Sequence, residues 1–172
     1  MTSAELRPLP TVATVLLERV AAPARLVARL RVAHDVAADL CDWVHAAFPD
    51  VRFDRDAVLF GAAIHDIGKA LYPEELSAPG ICHEQAGYDL LTAHGVSPHL
   101  ARFTRGHAAW DAADPDELLV KVAGRIRKDT RVEGLEQALI TVLAASSGRA
   151  HWEVFQALDD FAGTIDAAGD RP

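Results

Sequence analysis

Cysteine is scarce in this chain. Cys41 and Cys82 are the only two among 172 residues, and no zinc-type spacing joins them. No disulfide framework is needed at this length, which fits a reducing compartment and leads us to expect a cytoplasmic protein. Long basic runs are missing as well, and the net charge is −8. That balance argues against an extended nucleic-acid partner. Apolar runs of membrane length are also lacking. The nearest, Thr11 to Val20, is interrupted by Glu18 and Arg19 and reads neither as a signal peptide nor as a span. No stretch alternates with a β period, no repeat occurs, and no composition shift marks a second domain.

Apolar side chains, by contrast, are plentiful: half the residues are hydrophobic, with Ala, Leu and Val dominant. The chain is long enough for one domain with a real core. These features predict an all-α, single-domain helical bundle of about seven to eight helices. The domain should cover residues 11–166, between an N-terminal arm at 1–10 and a frayed tail at 167–172.

Helical spacing places the elements. Thr11 can cap a short helix bearing Val12, Val15 and Leu16. From about Pro23 to Phe48, the residues Val27, Leu30, His34, Ala37, Cys41, Val44 and Phe48 follow steps of three and four, a seam facing other helices. The next helix starts at Asp54 or Asp56 and carries Val58, Leu59 and Ala62 to the pair His65-Asp66, with Gly68 offering a left-handed stop. His83, Gly87, Leu90 and His94 share a seam on the following helix, with Gly95 as its C-cap. Ser97 and Pro98 open a fifth helix bearing Leu100, Phe103, Thr104 and His107. Leu119, Val122 and Ile126, then Leu135, Leu139, Val142 and Leu143, and finally Trp152, Phe155, Leu158, Phe161 and Ile165 mark three more.

Of the eight histidines, His34, His65, His83 and His107 fall on the apolar sides of four different predicted helices. A single inward histidine is commonly a satisfied core residue. Several, together with Asp66, would each need a polar partner in an Ala/Leu/Val core. One shared cation would serve them all. A mixed imidazole and carboxylate set suits Mn, Fe, Co, Ni or Zn, as one or two ions, better than Ca. Such a site differs from a closed thiolate zinc site and would leave positions for water and substrate, favouring attack on phosphorus. Lys69 follows the pair directly and could hold a phosphate oxygen; Arg102 and Arg105 precede His107 and could do the same, although a solvated surface role is the plainer reading of both arginines. His45, His99 and His151 read as exposed, and His94 as a helix-terminal residue.

These residues resemble the HD-domain superfamily of metal-dependent phosphohydrolases. Val32-Ala-His34-Asp35 supplies the first histidine, Phe60-Gly-Ala-Ala-Ile-His65-Asp66-Ile-Gly68-Lys69 the His-Asp pair, and Cys82-His83-Glu84 and Arg105-Gly-His107 the two outer histidines of members with two metals. The stretch from about Leu26 to Arg131 is covered, and the chain is similar to small bacterial HD-domain proteins. The resemblance implies a bundle of HD-domain type, metal ligands His34, His65, Asp66, His83 and His107, Asp66 and Lys69 in catalysis, and Lys69 and Arg105 on substrate. Within the superfamily the two outer histidines resemble di-iron members that split dinucleoside polyphosphates. One departure stands out. The last acidic ligand usually sits in a helix reading Leu-Ala-Asp-Lys-Ile, and here Val122-Ala123-Gly124-Arg125-Ile126 puts Gly124 in its place. Asp129 points to another side of that helix, and Asp111 and Asp116 lie in the preceding loop.

Three functions follow as expectations. The first is a metal-dependent phosphohydrolase with reduced activity on a nucleotide or other small phosphate ester. The second is a catalytically degenerate module that binds a nucleotide or phosphorylated ligand. The third is a helical interaction domain with core histidines. A membrane partner is not expected, and a homodimer is left open.

Overall fold

Proline decides where the longest helix begins. Pro23 has no N–H to leave unpaired, and it precedes α2 (Ala24–Ala47), which runs until Phe48 turns out of helical geometry. The computed structural model describes residues 6–106, 110–126 and 132–169. Among these residues every regular element is helical: α1 (Thr11–Arg19), α2, α3 (Arg55–Ile64), α4 (Cys82–Ala93), the single turn α5 (Pro98–Ala101), α6 (Pro115–Ile126), α7 (Glu133–Ser147) and α8 (His151–Gly169). Short 3₁₀ turns follow α3 at Ile67–Ala70 and Pro73–Leu76, and follow α5 at Arg102–Thr104. The chain is an all-α, single-domain bundle, as its periodicity predicts, and no described helix is long and apolar enough to cross a membrane.

The central packing is among α2, α3 and α6, with α4 laid against the 3₁₀ turn that follows α3. Leu30, Ala37, Cys41 and Val44 of the α2 seam are buried, as are Val58, Ala62 and Ala63 of α3 and Leu119 and Val122 of α6. Burial also pushes the Cys41 thiol up to about 12, so it behaves as a small core side chain. The arm is pinned at Arg7, whose guanidinium donates to Asp35 at 2.9 Å and Asp39 at 2.6 Å on α2.

Three expectations need correction. Thr11 is the first residue of α1 rather than its cap; Pro10 precedes it and no side chain caps the helix. Trp152 and Phe155 are 68% and 45% exposed, because the inward seam of α8 runs through Val154, Leu158 and Phe161 instead. Gly68, finally, is not a left-handed stop. α3 ends at Ile64, and the positive-φ glycines are Gly95, Gly106 and Gly148.

Gly68 is needed for close approach. A Cβ built there would lie 1.9 Å from the carbonyl oxygen of His83 and 2.8 Å from the backbone nitrogen of Gly87. The turn after α3 thus touches the backbone of α4 directly. Gly61 has a milder version of the same role, its missing Cβ lying 2.7 Å from the Phe103 ring. We expect Gly68→Ala to destabilise the protein by about 2–4 kcal/mol in urea denaturation, because backbone must move. Gly163→Ala on α8, where a Cβ meets nothing within 4 Å, should stabilise it by about 0.5–1 kcal/mol.

Candidate functional site

The Gly68 contact carries α4 onto the end of α3 and so brings His83 to Asp66. Asp66 is only 5% exposed. Its Oδ2 accepts a hydrogen bond from Lys69 Nζ at 2.8 Å, and Lys69 is itself buried. His83 Nε2 stands 3.4 Å from Asp66 Oδ1, and His65 Nε2 stands 3.8 Å from Oδ2. Burial pushes the Asp66 carboxyl up, but the His65 ring, the His83 ring and the Lys69 ammonium outweigh it and hold the group well below the ordinary aspartate value.

Each imidazole is oriented from behind. His65 Nδ1 donates to the carbonyl of Ala62 at 3.0 Å, which leaves Nε2 as the atom turned toward the site. His83 Nδ1 is hydrogen-bonded to the Glu75 carboxylate, so its Nε2 faces Asp66. Glu75 also accepts from the backbone nitrogens of Cys82 at 3.0 Å and His83 at 3.1 Å. It therefore caps α4, which has no side-chain cap from its own N-cap residue. Burial lowers the affinity of His83 for a proton, yet the carboxylates on either side raise its pKa overall.

His34 is buried on α2, and its Nδ1 has no hydrogen-bond partner; burial lowers its pKa. The ion pairs of Asp66 do not extend to it. His107 lies outside the described residues, as does Asp129. The structure thus brings His65, Asp66, Lys69 and His83 together. The donors have the chemistry of a transition-metal site, and the buried His34 Nδ1 has no hydrogen-bond partner among the described residues. Yet among the described residues no three His, Cys, Asp or Glu side chains are gathered into a set that could hold an ion. Toward Asp66 the cationic role is taken by Lys69. The fit to a metal is therefore partial: right donors, an incomplete sphere.

Gly124 faces this site. A Cβ on it would stand 3.6 Å from His65 Nε2, so a carboxylate at this position would point at that ring. Neither Asp116, which the structure places in the first turn of α6 rather than in the preceding loop, nor Asp111 replaces it. Asp116 accepts from the backbone nitrogen of Asp54 at 2.8 Å, and Asp111 from that of Ala113 at 2.8 Å. His65 and Gly124 both border a cavity of about 40 Å³ whose wall also includes Arg105, Trp110, Lys121 and Arg125. Lys69, expected on substrate, points inward to Asp66, whereas Arg105 does line the cavity, its guanidinium 3.6 Å from the centre of the Tyr88 ring. Arg102 instead pairs with Asp114 at 3.1 Å. A larger groove of about 630 Å³, lined by Val12, Val15, Leu16, Phe60 and Leu100, holds none of the expected site residues.

Sequence reasoning missed Glu75 and Lys121. A carboxylate eight residues before a candidate ligand is a weak signal, and only the fold of the 3₁₀ turn sends Glu75 back to His83. Lys121 was unmarked because its partners are backbone carbonyls, those of Arg105 at 3.0 Å and Gly106 at 2.8 Å. Against known proteins, no family model, no curated protein and no solved structure matches the chain. The HD-type reading therefore stands on the chain's own residues.

Removing one partner of a buried ion pair leaves the other uncompensated. Lys69→Met in metal-free protein should lose about 3 kcal/mol or more of stability by urea denaturation. Glu75→Ala should lower stability in the same measurement and change the His83 tautomer populations seen in imidazole ¹⁵N NMR.

Proposed function

We propose that this protein is a metal-dependent phosphohydrolase of HD type that acts, with reduced efficiency, on a nucleotide or other small phosphate ester. The observation that supports this reading most is the convergence of His65 and His83, each oriented from behind, on the buried carboxylate of Asp66. His34, His65, Asp66 and His83 would hold the cation, with His107 as the further ligand the resemblance implies. A divalent transition ion bound there supplies Lewis-acid activation of water and of the phosphorus centre. Around it Glu75 fixes the His83 ring, Lys69 keeps Asp66 ionised, and Arg105 offers a guanidinium to phosphoryl oxygens. A cytoplasmic location belongs to the same proposal.

A second reading, a module that binds a phosphorylated ligand without turning it over, is favoured by Gly124. With no side chain opposite His65, the cation's sphere lacks a carboxylate, and Lys69 already neutralises Asp66. The experiment that separates the two measures phosphate release from a nucleotide panel with Mn, Fe, Co, Ni or Mg. The hydrolase reading expects metal-dependent release that Asp66→Ala abolishes. It also expects Gly124→Asp to raise turnover by about tenfold or more, the scale of one restored electrostatic contact. A wild type that is inert, stays inert when changed to Gly124→Asp, and is itself still thermally stabilised by a nucleotide would establish the binding module instead.

A further inference from the structure

Glycine within a helix weakens it relative to alanine, so a helical glycine is usually explained by crowding. Gly61 and Gly68 are explained in that way. Gly124 is not. A Cβ there would make only ordinary contact, 3.6 Å from His65 Nε2, with no backbone pressing on it. What Gly124 leaves is room, and the room is lined by positive charge. Arg105, Lys121 and Arg125 all border the cavity, in a protein whose net charge is −8.

Two of these cations, Lys121 and Arg105, are held in place. Lys121 is tied to two backbone carbonyls and stands 3.7 Å from Glu117, which also accepts from the backbone nitrogen of Asp111. The nearby Glu84 is taken up by the backbone nitrogen of Gly106 at 3.0 Å. Arg105 lies flat over Tyr88, which restrains its guanidinium. Phe103, Val120 and Leu135 supply an apolar wall, and a weakly polar wall strengthens charge-assisted hydrogen bonds. At about 40 Å³ the space exceeds what one water needs and suits a compact polar group.

We infer that this cavity is a binding site for a compact oxyanion, a phosphate or the phosphoryl end of a larger ligand, which occupies the space that a side chain at position 124 would fill. Arg105 and Arg125 grip its oxygens, Lys121 sets the potential, and His65 forms the floor. The inference deepens the second reading, the binding module, since it names where the ligand's phosphoryl group sits in the same site, and it requires neither turnover nor a metal.

The test uses the full chain after chelator treatment. Isothermal titration calorimetry at constant ionic strength in chloride follows binding of inorganic phosphate and of a nucleoside monophosphate to wild type, Arg125→Gln and Gly124→Asp. Melting curves establish that each variant is folded. Wild type should bind phosphate saturably at one site. Arg125→Gln should weaken binding by about tenfold, the loss of one charge-assisted contact. Gly124→Asp, which puts a carboxylate into the space, should abolish it. A nucleoside monophosphate that binds at least tenfold more tightly than phosphate assigns the site to the phosphoryl end of a ligand; equal affinity assigns it to the free ion. Absence of saturable phosphate binding overturns the inference, and so does binding of equal strength in both variants. Phosphate release is scored separately: binding without turnover defeats only the hydrolase reading, and turnover without phosphate binding defeats only this one.

Discussion

A carboxylate removed from water is the constraint around which this molecule is arranged. Asp66 is almost fully buried, and an isolated ionised carboxylate there would be prohibitively costly. It is kept charged by an ammonium three residues along the chain and by two imidazoles, one adjacent in sequence and one from α4. The local part of this arrangement needs α3 to stop at Ile64 and the chain to tighten into a 3₁₀ turn, which swings Lys69 back under Asp66. The distant part needs α4 to approach backbone to backbone, and Gly68 permits that approach. Packing of α4 and ionisation of Asp66 are thus two aspects of one contact.

The same geometry explains why the site is lopsided. On the α4 side, His83 is positioned on both faces, by Glu75 behind and Asp66 in front. On the α6 side, Gly124 offers His65 nothing, and cationic side chains surround the gap. Such a site has imidazoles, a neutralised carboxylate and an electropositive recess, but lacks the second carboxylate that would complete a cation's sphere. The two proposed functions, hydrolysis and ligand binding, would both draw on these elements. They differ in whether the α6 side must contribute a negative group from the protein or can receive one from a ligand.

Much of this was legible in the chain itself, and the failures are instructive. The α2 seam through Leu30, His34, Ala37, Cys41 and Val44 is buried as its spacing indicates, because a 24-residue helix averages out local irregularities. The prediction for α8 failed at its first turn. Trp152 and Phe155 have helical spacing with Leu158, but the buried face at that turn runs through Val154, 0% exposed, because steps of three and of four from Leu158 lead to either phase. Gly68 was misread because a glycine after a helix has two common reasons, positive φ and close approach, and sequence alone favours the commoner. Glu75 was passed over since a short turn gives no period from which to infer a direction.

Residue type and helical spacing, acting over neighbouring turns, were enough by themselves to determine that the chain is all-α and that His34 and His83 are buried; that Gly124 should face the His-Asp pair came only from the resemblance. The first two properties depend on short-range geometry, which repeats every few residues. Only tertiary structure decided that Lys69 turns inward to Asp66, that Glu75 stands behind His83, and that Arg105, Lys121 and Arg125 border one recess. Each of those outcomes depends on where loops and separate helices meet, and a meeting of distant segments is set by the packing of the whole core rather than by any pattern along the chain.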